Sequence, residues 1–162
     1  MDATMYYARL RSRVIMLFYK GDKNMANAIF YYSLSGKTKS VAEKMAAETG
    51  AELFEIREIK KRNGFTAFFP GVFQAGGLKS TAIQPLGTDL SSYDEITIMG
   101  PIWAGHPAPA VNSVIALLPA GKTVSLISTS GRGNIDMSKT EALITAKGCT
   151  VKETRSYGTT DL

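Results

Sequence analysis

The sequence has 162 residues, 44% of them hydrophobic, and a formal net charge of +5. This length and composition predict one compact domain with a core of its own. The apolar runs are far shorter than the roughly 20 residues that a membrane span requires, so no membrane span is expected. The single cysteine, Cys149, excludes an internal disulfide and a thiolate metal cluster, and it favours a reducing compartment such as the cytoplasm.

The basic character is concentrated at the N-terminus. Residues 1–24 contain three Arg and two Lys against two Asp, so they carry three of the five net positive charges. The remainder is only weakly basic, and nucleic-acid binding is therefore not expected. We expect 1–24 to be an N-terminal extension of uncertain role, either dispensable or a short basic amphipathic helix that touches a surface. The folded domain is expected to cover 25–162.

From Met25 onward, strand signals and helix signals alternate, with connections of a few residues. Because parallel strands need crossover connections, this alternation predicts an α/β domain, a five-stranded parallel sheet with helices on both faces. Glycines just beyond the apolar helical stripes predict where the helices end. The predicted strands are 27–32, 51–59, 94–99, 123–128 and 149–157, and the predicted helices begin near Lys39, Pro109 and Ser138 and end at Gly50, Gly121 and Gly148.

Two local signals refine this pattern. The second strand, 51–59, carries four charged residues, which an edge strand tolerates better than a central one. Ser138 and Glu141 have the spacing of a capping box at the start of the last helix. The sequence therefore predicts both the exposed edge of the sheet and the cap of its last helix.

Residues 60–81 are ambiguous. They contain Phe65, Phe68, Phe69 and Phe73, whose spacings of three and four indicate one packed side of a helix. We expect these rings to be core residues of a short helix between the second and third strands. The alternative is that they cover a flat ligand.

The loop after the first strand resembles the end of a nucleotide triphosphate loop. That motif requires a glycine where this sequence has Tyr31, and the strand at 94–99 is not followed by an aspartate for magnesium. What remains is a hydroxyl-rich turn at a helix N-terminus, which suits a terminal monophosphate. The alternative is that Ser33 or Ser35 only caps the helix. The turn consists of Ser33, Leu34, Ser35, Gly36, Lys37 and Thr38.

Two further loops follow the third and fourth strands, where an open parallel sheet binds its ligands. The loop at 100–109 contains the only tryptophan, Trp103, which predicts stacking against a flat apolar ligand or a ring folded back on its own loop. His106 is expected to be a surface residue or a local hydrogen-bonding group rather than a catalyst. The loop at 128–134 has two glycines and small hydroxyl residues, so its backbone amides can approach a ligand edge or form a flexible turn.

Together the three loops resemble those of the flavodoxin family, over nearly all of 27–157. The family's phosphate motif, Ser/Thr-x-Ser/Thr-Gly-x-Ser/Thr, is matched at 33–38, and the Pro-Ile-Trp of close relatives is matched at 101–103. The resemblance implies a flavodoxin-like doubly wound sheet of strand order 2-1-3-4-5, and the absence of a long insertion in the last strand implies the short-chain type.

The resemblance also implies a noncovalently bound flavin mononucleotide, FMN. The turn at 33–38 would hold the phosphate, Trp103 would cover one face of the isoalloxazine, and 128–133 would contact its pyrimidine edge. The Ala104-Gly105 peptide could turn a carbonyl toward the reactive flavin nitrogen. The cofactor-binding residues expected on this basis are Ser33, Leu34, Ser35, Gly36, Lys37, Thr38, Pro101, Ile102, Trp103, Ala104, Gly105, Ser128, Thr129, Ser130, Gly131 and Gly133.

The expected function is electron transfer between redox partner proteins, and the alternative is an NAD(P)H-dependent FMN oxidoreductase that reduces a quinone or another small molecule. Two departures from the family bear on this choice. The third loop lacks the tyrosine that often covers the second flavin face, so that face is open, covered by a phenylalanine of 65–73, or reserved for a substrate. A flavin-free interaction domain is a third and weaker possibility.

The second departure is the charge, because flavodoxins are usually acidic whereas this domain is weakly basic. A positive field favours the reduced anion. We therefore expect a less negative potential for full reduction of the flavin than in an acidic flavodoxin. An equally low value in a redox titration would contradict this expectation.

Overall fold

A computed structural model describes residues 26–60, 78–130 and 135–158. The predictions for the N-terminal extension, the four phenylalanines at 65–73 and the end of the third loop at 131–134 lie outside the described residues. The strands are β1 (Asn27–Tyr31), β2 (Glu52–Glu55), β3 (Glu95–Trp103), β4 (His106–Pro107), β5 (Thr123–Thr129) and β6 (Thr150–Tyr157). The helices are α1 (Lys37–Thr49), α2 (Pro109–Leu117) and α3 (Ser138–Ala146), with a short 3-10 turn at Leu90–Ser92.

Five of the strands form a parallel sheet in the order β2-β1-β3-β5-β6, and β4 pairs with β3 in antiparallel orientation. With β4 set aside, this is the predicted order 2-1-3-4-5, so the flavodoxin-like fold class is confirmed. The predicted edge strand is also confirmed, because β2 lies at one end of the sheet and exposes Glu52 and Glu55.

Both faces of the sheet are covered by helices, as predicted. Alternating residues of the strands point to opposite faces. On one face, Ile98 and Leu126 pack with Val114 of α2 and Ile144 of α3. On the other face, α1 packs on the sheet through a smaller cluster, which contains Ile29, Tyr31, Ala42, Met99 and Ile127. Within the described ranges, no helix has the length and apolar character needed to cross a membrane.

Helix α2 ends earlier than predicted. The sequence placed its end at Gly121, but the helix stops at Leu117. Pro119 follows, and a residue before proline is driven out of the helical region. Leu118 accordingly has an extended backbone with ψ of 127°. Gly121, with φ of +80°, instead forms the turn that leads into β5.

The predicted capping box at Ser138 and Glu141 is wrong. Ser138 is already helical, and its backbone N–H donates to Asp136 Oδ1 at 2.9 Å. Glu141 instead accepts a hydrogen bond from the Thr154 hydroxyl on β6. Asp136 takes the role assigned to Ser138 because its carboxylate lies just before the helix, where the positive end of the dipole and the unpaired N–H groups favour an anion.

The hydrogen bond to Asp136 predicts a pH dependence of stability. The bond from the Ser138 backbone N–H lowers the pKa of Asp136 below its ordinary value of 3.8. The stabilisation of the folded state by this bond is therefore fully present above the pKa that Asp136 has in the unfolded chain. It is lost as pH falls through the pKa that Asp136 has in the folded protein. We expect Asp136→Asn, which keeps an acceptor without the charge, to lose less thermal stability than the wild type between about pH 6 and about pH 3. An equal fall in melting temperature for the two proteins across this pH range would contradict the assignment.

Candidate functional site

The three predicted loops meet at the carboxyl edge of the sheet, because β1, β3 and β5 are neighbours there. The hydroxyls of Thr38 and Thr129 are hydrogen-bonded at 2.8 Å, which joins the first loop to the third. The rings of Tyr32 and Trp103 contact edge to face with centroids 6.0 Å apart, which joins the first loop to the second. The site is thus assembled from residues that are far apart in the sequence.

The first loop leaves the start of α1 uncapped by side chains. The N-cap is Gly36, with φ of 90°, a conformation that glycine adopts at little cost, and no side chain caps it. The predicted alternative, a helix cap by Ser33 or Ser35, is therefore wrong. The Ser33 hydroxyl oxygen instead accepts from the Gly36 N–H at 3.1 Å and closes the turn before the helix. The backbone N–H groups of the first helical turn, which have no intrahelical partners, are therefore not capped by a side chain.

The three hydroxyls of the motif differ in exposure and bonding. Ser33 is half-buried, Ser35 is exposed and Thr38 is 2% exposed. A hydroxyl has one proton to donate and two acceptor positions. Ser33 uses an acceptor position for Gly36, so its proton remains to be donated. In the pair of Thr38 and Thr129 only one proton is used, so one remains.

The second predicted loop is largely a strand and a tight hairpin. Strand β3 continues to Trp103, which pairs with His106 of β4. Ala104 and Gly105 connect them with φ of 49° and 82°, and a two-residue hairpin with both φ values positive matches the twist of the strands. The sequence missed the hairpin because Ala-Gly is a weaker turn signal than Asn-Gly or Asp-Gly.

Trp103 is half-buried and packs against both the core and Tyr32. A stacking role for its ring stays a prediction. Pro101 and Ile102 lie in β3 beside it, and the Pro101 carbonyl accepts from the Ala108 N–H at 3.0 Å. This bond connects β3 to the residue just before α2.

The third loop is placed only in part. Ser128 and Thr129 are buried at the end of β5, and the Ser130 N–H donates to the Tyr157 carbonyl at 2.9 Å. Gly131 and Gly133 lie outside the described residues. Lys37 is exposed and, with Tyr157, lines a groove on the flank of α1.

Tyr32 and Glu58 also belong to this region, and no sequence pattern indicates a site role for either. The Tyr32 hydroxyl donates to Glu58 Oε2 at 3.0 Å, and both side chains are buried. The sequence pattern predicts Tyr32 as the end of the first strand and Glu58 as one of the four charged residues of an edge strand. A buried carboxylate next to an edge strand is a tertiary feature that a local pattern does not indicate.

The bond between Thr38 and Thr129 yields a prediction for stability. Thr38→Val keeps the shape of the side chain but leaves the buried Thr129 hydroxyl without this partner. We expect the free energy of unfolding to fall by about 1–3 kcal/mol, measured by urea denaturation. The double variant Thr38→Val with Thr129→Val should recover much of the loss, because both polar groups are then removed. A loss in the double variant that equals the sum of the losses in the two single variants would contradict the pairing.

Comparisons with known proteins identify structural relatives. No family model matches the sequence, and no curated protein matches it. The structure is similar to a flavoprotein in complex with FMN from Lactobacillus acidophilus, with 26% identity, a TM-score of 0.69, and 82% of this chain and 93% of that one covered. The apo form of the flavoprotein from the same organism has 24% identity, a TM-score of 0.65, and 85% and 95% covered.

A two-electron reduced flavodoxin from Megasphaera elsdenii has the same fold, with 21% identity, a TM-score of 0.52, and 80% of this chain and 84% of that one covered. These relatives are covered almost over their full lengths, so the likeness concerns the whole fold rather than one motif. The resemblance to flavodoxin-like flavoproteins, predicted from the strand-end motifs, is thereby confirmed.

Proposed function

We propose that the protein binds FMN at the carboxyl edge of the sheet and transfers electrons between redox partner proteins. The observation that carries this proposal is the convergence of three loops through the bond from Thr38 to Thr129 and the contact of Tyr32 with Trp103. The similarity to a flavoprotein in complex with FMN supports the choice of cofactor.

The residues at the edge fit the cofactor's chemistry. A phosphate needs donors, and the uncapped first turn of α1 supplies backbone N–H groups while Ser33 keeps a hydroxyl proton to donate. A flat ring needs an aromatic surface, and Trp103 is half-buried at the adjacent strand end. When bound, FMN supplies the electron transfer. The chain's own residues hold the phosphate, orient the ring and shield one side of it from water.

The residues we assign to the phosphate are those of the turn at 33–38. We assign the ring to Pro101, Ile102 and Trp103 with the hairpin residues Ala104 and Gly105, and the edge of the ring to 128–131 and Gly133. Ala104 is a non-glycine residue with positive φ, which is uncommon and marks a backbone held in one conformation by its hairpin. Such a turn fixes the direction of its peptide groups.

The absorption spectrum of the purified protein tests cofactor binding. We expect flavin bands with one phosphorus per chain, or their appearance when FMN is added to the colourless protein. Riboflavin, which lacks the phosphate, should bind more weakly than FMN because the turn at 33–38 then has no anion. A colourless protein that does not respond to added FMN would contradict the proposal.

A second candidate is an NAD(P)H-dependent FMN oxidoreductase. The observation that favours it is the one-sided aromatic lining: Trp103 is the aromatic residue of the three motif loops, and 128–134 contains none. An open second face would admit a nicotinamide. Anaerobic addition of NADPH separates the two functions, since rapid bleaching without a partner reductase supports the enzyme and no bleaching supports the carrier.

A further inference from the structure

We infer that Glu58 is a positioning residue for the site, acting through Tyr32 to hold the Trp103 ring in the orientation that a flat ligand stacks on. The inference rests on the proposed function for the identity of the ligand. The positioning itself is a property of the flavin-free protein.

The contacts form a continuous path from Glu58 to Trp103. The Glu58 carboxylate accepts from the Tyr32 hydroxyl at 3.0 Å, and the Tyr32 ring meets the Trp103 ring with planes inclined by 77°. Glu58 and Tyr32 are only 7% and 6% exposed, so the hydrogen bond between them is shielded from competition with water. Since the bond fixes the tip of the Tyr32 ring, it also fixes the aromatic surface that Trp103 packs on.

Both ends of the path are anchored to the backbone. The Tyr32 N–H donates to the Met99 carbonyl at 2.8 Å, which locks the base of its side chain to β3. The segment that carries Glu58 is paired with 82–84, through the Ile59 N–H to the Ala82 carbonyl at 3.0 Å and the Gln84 N–H to the Arg57 carbonyl at 2.8 Å. Glu58 is therefore presented by a paired segment rather than by a free connection.

The paired segment is in turn tied to α2. The Ser113 hydroxyl accepts from the Thr81 N–H at 3.0 Å and lies 2.6 Å from the Thr81 carbonyl oxygen, to which it donates. The aromatic pair is thus held from β3 on one side and from α2 on the other. Burial of a carboxylate is costly unless it is hydrogen-bonded, and the Tyr32 hydroxyl supplies one such bond next to the predicted ligand surface.

The test uses the fact that Trp103 is the only tryptophan in the chain. Its fluorescence, excited at the red edge of the spectrum where tyrosine does not absorb, therefore reports on this ring alone. In Tyr32→Phe the ring remains but the hydroxyl is lost. We expect the anisotropy decay of Trp103 in the flavin-free protein to gain a fast component, and the FMN dissociation constant to rise about fivefold. Glu58→Gln keeps an acceptor oxygen and should retain the slow decay of the wild type.

Tyr93→Phe is the matched control. The Tyr93 hydroxyl also donates to a carboxylate, Glu52 Oε2 at 3.0 Å, and the residue is 4% exposed, but it lies at the opposite end of β3 and contacts Phe30 and Phe54. This variant loses a tyrosine–carboxylate bond of the same length, together with the contact of the Tyr93 hydroxyl with the Thr88 hydroxyl at 3.1 Å, and should leave the Trp103 decay unchanged.

An unchanged Trp103 decay in folded Tyr32→Phe, or an equal change in Tyr93→Phe, would overturn the inference. If Tyr32→Phe does not fold, Glu58→Met, which removes the acceptor at similar length, carries the same expectation. A wild-type protein that binds no FMN would refute the proposed function, while the anisotropy measurement on the flavin-free protein would still decide the positioning role.

Discussion

Replacing Trp103 with alanine is expected to weaken FMN binding by about tenfold or more, because stacking of a flat base on an aromatic side chain contributes about 1–3 kcal/mol. The half-buried ring at the end of β3 is a flat aromatic surface that the described part of the site offers. The dissociation constant can be measured by titrating FMN and following the quenching of flavin fluorescence. The flavin absorption bands should shift as well, since the ring environment becomes more polar.

Trp103→Phe is the control for this prediction, because it keeps a flat ring of smaller area. We expect its affinity to lie between those of the wild type and the alanine variant. Melting curves for both variants separate loss of stacking from loss of core packing, since Trp103 also contacts the core. Unchanged FMN affinity in folded Trp103→Ala would remove Trp103 from the site.

Replacing Gly100 with alanine is expected to lower the free energy of unfolding by about 1–3 kcal/mol, the usual effect of overpacking a core. A Cβ atom at Gly100 would lie 2.2 Å from Val111 Cγ2, well inside van der Waals contact. Val111 is 1% exposed, so its side chain cannot turn into solvent to make room. The effect is therefore steric and arises from the close approach of β3 and α2. Chemical denaturation of the variant measures it.

A second substitution tests the steric origin of this effect. Val111→Ala removes the atom that the new Cβ would meet, so the double variant should be more stable than the sum of the two single losses implies. Additive effects, or a Gly100→Ala variant as stable as the wild type, would contradict the close approach.

The fold was predictable because its signals are local and mutually consistent. The hydrophobic period changed from strand to helix at short intervals, and few topologies accommodate that alternation. The order of the strands came from the family resemblance, which the structure confirms. Boundaries were less predictable: α2 was predicted to end at Gly121, but it ends at Leu117 because Pro119 acts on the residue before it.

Only the part of the candidate site that lies within one sequence motif was predictable. The turn at 33–38 was recognisable from its hydroxyl and glycine spacing, and its position at the start of α1 is as expected. The contacts that join the loops were not predictable. Thr129 and Tyr32 have no sequence feature that distinguishes them from ordinary strand residues, because their roles depend on which strands lie side by side. Asp136 and Ser138 show the same limit at smaller scale, since either could have capped α3.

The bond between Thr38 and Thr129 has a consequence for how the protein folds. Its two partners are 91 residues apart in sequence, and β3 lies between β1 and β5 in the sheet. Contacts of such separation require closure of a long loop and form late. During synthesis, the turn at 33–38 therefore leaves the ribosome long before the strand that completes it. A chain interrupted before Thr129 would contain the whole phosphate motif and still lack the hydrogen bond from Thr129 that fixes Thr38.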